Sequence, residues 1–231
     1  MGLSPRSRKI LADAVWLLVC IALVWHCRFY VTTAVAGLSQ GAHAELVEAS
    51  RARLPNDHSF AARLANAALD RTKDTVRYDG GYTKIVYPNG DVPPGTGVCT
   101  DEVIRSYRRL GIDLQRLVHE DMAAHFELYP KQWKLPKPDK NIDHRRVPNL
   151  QTFLKRQGAA LSVSKNPEDY LPGDIITCNL PGNLTHIALV VPAPHGESRP
   201  WIVHNIGEGP QMEDRLIEIE LTGHYRWHPA N

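Results

Sequence analysis

Leu171-Pro172-Gly173-Asp174-Ile175-Ile176-Thr177-Cys178 reads as a turn entering a strand. Across a Pro/Gly turn at Asn179 to Asn183, Thr185-His186-Ile187-Ala188-Leu189-Val190-Val191 reads as the next strand. A third follows over Pro200-Trp201-Ile202-Val203-His204-Asn205-Ile206, and two more over Leu216–Leu221 and His224–Trp227. Upstream the pattern is helical. Ser59 to Thr75 places Phe60, Ala61, Leu64, Ala65, Ala68 and Leu69 on one face, and further helices are predicted over Cys99–Leu110, Leu114–Leu128 and Leu150–Arg156, the last with Asn149 as its N-cap. Thr83 to Tyr87 is read as a short strand or extended arm. Helices first and an antiparallel sheet afterwards predict an α+β domain.

Cys99 opens the second of these helices, where the Gly/Pro loop from Gly90 to Gly97 ends. A cysteine at a helix N-terminus faces unpaired N–H groups and the positive end of the dipole, which favour the nucleophilic thiolate. The same N–H groups can stabilise an oxyanion forming beside the sulfur. Asp101 and Glu102 oppose thiolate formation, so an imidazolium partner is needed. On local sequence alone, a buried inert cysteine that happens to begin a helix is the preferred reading. The balance shifts because a strand opening with His186 and a strand carrying His204 and Asn205 follow in the order of a Cys-His-polar triad.

The segment from Cys99 to Asn205 resembles the NlpC-type cell-wall cysteine peptidases of the papain-like superfamily. The resemblance rests on Cys99-Thr100-Asp101, Gly111-Ile112-Asp113-Leu114, Gly173-Asp174-Ile175-Ile176, His186-Ile187-Ala188-Leu189 and Val203-His204-Asn205. It implies a papain-like core with Cys99 as nucleophile, His186 as general base and acid, and His204 orienting the imidazole. Chain-wide, the sequence is similar to the YijF-like bacterial family of unknown function. The residues that carry this are Tyr87-Pro88-Asn89-Gly90-Asp91-Val92-Pro93, Asp143-His144-Arg145-Arg146-Val147-Pro148-Asn149-Leu150 and Gly223-His224-Tyr225-Arg226. Two departures from the peptidases stand out: Thr100-Asp101 replaces Ser-Gly after the nucleophile, and a helix and loop insertion occupies about 113–158. In the resembled peptidases a tyrosine upstream of the nucleophile often serves as an oxyanion donor; Tyr82 and Tyr87 are both available for that role.

Arg6, Arg8 and Lys9 precede an apolar run from Ala14 to Trp25, the length of a signal-peptide core and short for a membrane span. Ala34-Val35-Ala36 and Ala42-His43-Ala44 are cleavage candidates. Residues 1–44 are therefore read as a signal peptide, or alternatively as an uncleaved anchor, and 45–231 as one domain of the exported, periplasmic chain. Cleavage after Ala44 removes four basic residues (Arg6, Arg8, Lys9 and Arg28) against one acidic (Asp13), so the formal net charge goes from +2 to −1. No basic stripe then remains to recruit nucleic acid. Of the four cysteines, Cys99 and Cys178 alone survive cleavage. They could pair in an oxidising compartment; Cys178 is read instead as a packed apolar residue.

The irregular stretch from Tyr129 to Pro148 is long for a compact domain, and such loops are commonly functional. Arg145 and Arg146 could bind a carboxylate or phosphate, with Trp133 stacking on a sugar. The preferred reading is that the arginines pair with acids of the Asp113 to Asp121 helix and pin the loop. Eleven histidines raise a metal alternative. His119, Glu120 and His125 fail the zincin spacing, and Asp143, His144, His186, His204 and His224 show no local ligand spacing, so no metal or other cofactor is expected. The sequence therefore predicts an exported thiol hydrolase that cleaves an amide bond, with peptidoglycan or another peptide as substrate. Tyr82, Thr100, Asp101, Arg145, Arg146 and Asn205 are its candidate oxyanion or substrate-binding residues. The competing expectation is a catalytically silent papain-like module that binds cell-wall material or a protein partner.

Overall fold

The computed structural model describes residues 40–229, so the sequence readings on residues 1–39 lie outside the described residues. The chain divides into two compact units at Leu46/Val47; of the first, only residues 40–46 are described, and they are helical. Among the described residues no helix is long and apolar enough to cross a membrane.

The second unit is a mixed helix and antiparallel-sheet domain. Helix α1 (Phe60–Arg71) starts at Ser59, whose Oγ accepts the Ala62 N–H at 3.2 Å. Its Ala/Leu face is fully buried. Two short strands, β1 (Arg77–Tyr78) and β2 (Thr96–Gly97), pair in parallel ahead of α2 (Cys99–Arg109) and α3 (Leu114–Ala124). Helix α4 runs over Val147–Arg156, beginning earlier than Asn149 because Pro148, with its preset φ and missing N–H, suits the first turn. Asn149 lies inside that helix, buried, and its amide donates to the Asp143 carbonyl at 3.0 Å. Thr83 to Tyr87 forms no strand.

The main sheet contains β3 (Ala160–Leu161), β4 (Ile175–Leu180), β5 (Leu184–Val191), β6 (Trp201–His204), β7 (Gln211–Glu213) and β8 (Glu220–Tyr225), in the spatial order β3-β8-β4-β5-β6-β7. The last two strands read from sequence merge into β8, while Leu216 lies outside any strand and is buried against Ile176, Ala188 and Ile202. The β4–β5 hairpin turns through Gly182 (φ 81°) and Asn183 (φ 59°), a pair of left-handed residues suited to the twist of a tight hairpin.

The Gly173-Asp174 pair before β4 is architectural. Gly173 has φ 89°, and a Cβ there would lie 2.6 Å from the Ala61 carbonyl oxygen of α1, so only glycine lets the turn approach that helix. The buried Asp174 carboxylate accepts the Leu171 N–H at 2.8 Å, the Arg226 Nε–H at 2.7 Å and a hydrogen bond from His224 Nε2 at 2.7 Å. These charge-assisted bonds hold it below the usual carboxylate range against the cost of burial. They tie the start of β4 to the end of β8, which gives the Gly223-His224-Tyr225-Arg226 motif a packing role.

Candidate thiol site

Antiparallel register decides which side chains meet on the sheet. Cys178 lies opposite His186, and Leu189 opposite Val203, which places His204 beside Ala188. Alternate residues share a face, so Cys178, His186 and His204 lie on one face and Asn205 on the other. His186 Nε2 and His204 Nδ1 are 2.9 Å apart, and His204 Nε2 is 2.6 Å from Glu213 Oε2 on β7. Asn205 serves its own turn, where its Oδ1 accepts the Gly207 N–H at 3.0 Å. Glu213 was missed from sequence because nothing in its neighbourhood signals that β7 pairs with β6.

Cys99 is the first residue of α2. Backbone N–H groups, that of Ile187 first and then those of Thr100 and Cys99 itself, pull the thiol down. Among the described residues no hydrogen bond joins the sulfur to the His186 ring. The tyrosine at the thiol is Tyr78, which the sequence reading did not single out. Tyr78 pairs with Gly97 in the parallel β1–β2 ladder, two residues before Cys99, and burial followed by the nearby Cys99 pushes its hydroxyl up to about 12. Tyr82 is exposed and bonds Asp139 and Asn141, at 3.0 and 2.8 Å. Tyr87 packs edge-on against His119.

Burial outweighs the helix terminus in setting the thiol. It pushes Cys99 up to about 11, with Asp101 adding to it and the backbone N–H groups only partly offsetting it. His186 is driven down to about 3, first by burial and then by His204 and Arg215. Both groups therefore rest neutral, one a thiol and the other an imidazole. This corrects the expectation of a thiolate facing an imidazolium: at 5%, 1% and 2% exposure for Cys99, His186 and His204, desolvation penalises both charges. Cys178 is a free, fully buried thiol, likewise raised, to about 12, by burial.

The remaining candidates divide into a clamp and a second, largely buried pair. Asp101 and Arg145 form a buried bidentate ion pair at 2.8 and 2.9 Å, and Thr100 Oγ1 donates to the Arg145 carbonyl at 3.0 Å. Asp101 Oδ2 also accepts the Val98 N–H at 2.7 Å, capping the helix that Cys99 begins. Arg146 pairs with Asp143 at 3.2 Å and lies over the Trp133 ring at 4.1 Å. The expected partners on the Asp113 to Asp121 helix are otherwise engaged: Asp113 caps α3 and accepts the Asn89 N–H, and Asp121 binds Arg156 and Tyr129. The histidines weighed as metal ligands sit in separate places, His186 with His204, His224 with Asp174, and His144 beside Asp143. Among the described residues no group of three or more His, Cys, Asp or Glu is placed to hold a metal ion.

Residues 65–227 match the family described as "Domain of unknown function (DUF1287)". The chain belongs to the DUF1287 family. It is 48% identical over 164 residues to "Uncharacterized protein YijF" of Escherichia coli (strain K12), an alignment covering 71% of this chain and 80% of that protein. Among solved structures, NlpC1 from Trichomonas vaginalis is similar at a TM-score of 0.42 and 18% identity, covering 74% of this chain and 45% of that one. The chain thus spans under half the length of that structure.

Four buried groups of this DUF1287 chain make its stability respond to pH in opposite senses. His186 and His144 are both held down at about 3 by burial, against an ordinary 6.5. Between those values the unfolded chain binds two more protons, so their contribution grows as pH rises. Glu102, paired with Arg71 at 3.3 Å, is pushed up by burial from 4.5 to about 7. Asp143 is pushed up by burial from 3.8 to about 6. For these two the folded chain holds the extra proton, so their contribution falls as pH rises. Between pH 4.5 and 6 the two pairs offset each other, and His119, also lowered by burial, leaves only a shallow rise of unfolding free energy. Glu102→Gln removes one counterweight, and stability should then climb through that window by about 1.4 kcal/mol per pH unit. Urea unfolding at stepped pH reads both slopes; parallel curves for the two proteins would contradict the assignment.

Proposed function

We propose that this chain is an exported thiol hydrolase with a papain-like core that cleaves an amide bond in cell-wall peptide. The observation that carries the reading is the chain of contacts from His186 Nε2 to His204 Nδ1 and from His204 Nε2 to Glu213. Glu213 orients His204, His204 fixes the tautomer and orientation of His186, and His186 Nδ1 is left as the nitrogen that can take the thiol proton. Because both reacting groups are neutral at rest, the proton moves to Nδ1 as the sulfur attacks the carbonyl rather than before it. The oxyanion forms at the start of α2, beside the helix's first backbone N–H groups and the strand that carries Tyr78. His186 then protonates the leaving amine, and water attacks the acyl-enzyme with His186 again as base. Hydrogen bonds between nucleophile and base commonly tighten only when substrate is present.

The experiment is incubation of the purified chain with soluble peptidoglycan stem peptides and with the intact polymer, followed by mass analysis of products. Cys99→Ser should abolish cleavage while retaining binding. A second reading, a silent binding module, is favoured by one observation, the burial that raises the Cys99 thiol to about 11. Binding of wall material by both forms with no cleavage by either would select it. For compartment, a reporter active only outside the cytoplasm should be exported when fused after Ala44; a cytosolic reporter would remove the wall substrate.

A further inference from the structure

The segment from Asp79 to Gly90 carries no helix or strand, yet it follows Tyr78 directly and is held along its length by the insertion. Asn141 Oδ1 accepts the Ile85 N–H at 3.0 Å, and Gln115 donates to the Val86 carbonyl at 2.9 Å. The grip nearest the thiol belongs to Arg145. Its Nη1 and Nη2 donate to the Gly81 and Asp79 carbonyls, both at 3.3 Å, while Nε and Nη2 hold Asp101. One side chain, 3% exposed, thus joins the segment that carries Tyr78 to the helix start that carries Cys99. A guanidinium is required for this, because only its rigid fork presents enough donors to serve a carboxylate and two carbonyls at once.

We propose that Arg145 is a positioning residue of the thiol site, holding the Tyr78 hydroxyl against the Cys99 sulfur through the Asp79 and Gly81 carbonyls. The role rests on the thiol reading above and deepens it, giving the Asp143-His144-Arg145-Arg146 motif a function that needs no contact with substrate. Held there, the Tyr78 hydroxyl can donate to the sulfur and so favour thiolate. Its displacement therefore lowers thiolate at any pH below the thiol's midpoint.

The test reads Cys99 directly, by following its carbamidomethylation with iodoacetamide in the full-length chain by peptide mass spectrometry across pH. Tyr78→Phe should slow Cys99 about tenfold at a fixed pH below the midpoint, the effect of a one-unit rise. Arg145→Lys keeps the charge facing Asp101 but cannot span both carbonyls, and it should slow Cys99 by a similar factor. The double variant should be no slower than Tyr78→Phe alone, because the two changes remove one interaction. Additive slowing, or a lowered melting temperature with an unchanged pH profile, would make Arg145 merely structural and overturn the proposal. So would an unchanged rate in Tyr78→Phe. If lysine is not tolerated in the fold, Asp101→Asn with Arg145→Gln leaves no unpaired buried charge; adding Tyr78→Phe to that pair should then leave its rate unchanged, and a further tenfold slowing would overturn the proposal. Hydrolysis need not occur for any of these rates to be measured, so the absence of cleavage and the failure of the clamp are separate results.

Discussion

Replacing His204 by alanine is expected to lower turnover of an amide substrate by about 10³- to 10⁴-fold, with substrate binding little changed. His204 lies between His186 Nε2 and Glu213, so its loss frees the imidazole to adopt the wrong tautomer and orientation without altering the surface a substrate meets. Asn205→Ala should be mild by comparison, because the register turns Asn205 to the opposite face and its amide oxygen serves the Gly207 turn. Steady-state kinetics on both variants decide between them. A ranking with Asn205 above His204 would mean that the strand end rearranges on binding, and equal, negligible effects would leave only the binding module.

Asp101→Ala is expected to carry the largest stability cost, about 3–5 kcal/mol, because it strands a buried guanidinium. Arg145 and Asp101 are each 3% exposed, and the same change also removes the acceptor for the Val98 N–H at the helix start. The companion variant Asp101→Leu with Arg145→Met should recover most of that loss, since replacing both charges by apolar groups leaves nothing unpaired. Denaturant unfolding with a comparison of m-values measures both. If Asp101→Ala costs under about 1 kcal/mol, the pair is solvated in a way its burial does not suggest. In the double variant Tyr78→Phe should no longer slow Cys99 alkylation, which separates the energy of the pair from its positioning role.

Much of the architecture was legible because it is periodic or locally capped. The Ala/Leu spacing and Ser59 mark α1, the loop-to-helix change marks the start of α2 at Cys99, and the Gly182-Asn183 turn marks the hairpin that carries Cys178 and His186. The register of that hairpin follows from the turn. Elements whose partners lie far along the chain leave no such mark. Tyr78 enters a two-residue strand only because Thr96–Gly97 comes alongside it, and a pairing that short leaves no pattern in sequence. The strand readings at Leu216–Leu221 and His224–Trp227 divided one strand wrongly, since Leu216 is apolar because it packs against the sheet face rather than because it belongs to a strand.

The order Cys99, His186, His204, the glycine at 173 and the turn chemistry are properties of the sequence itself, because each depends on a local dihedral or a two- or 3.6-residue period. Three matters belong to the tertiary structure. Which of several acids Arg145 meets depends on folding a loop back across 44 residues to Asp101, and an arginine in sequence carries no address. Which tyrosine reaches the sulfur is set by the short parallel ladder at Gly97. The charge state of Cys99 is the clearest case. A helix N-terminus, visible in the sequence, argues for thiolate, while the burial that pushes the thiol up to about 11 comes from how α2, β5 and Tyr78 close around it. Desolvation grows with everything packed about a charge, whereas the terminus contributes only its first few N–H groups, and so the enclosure decides.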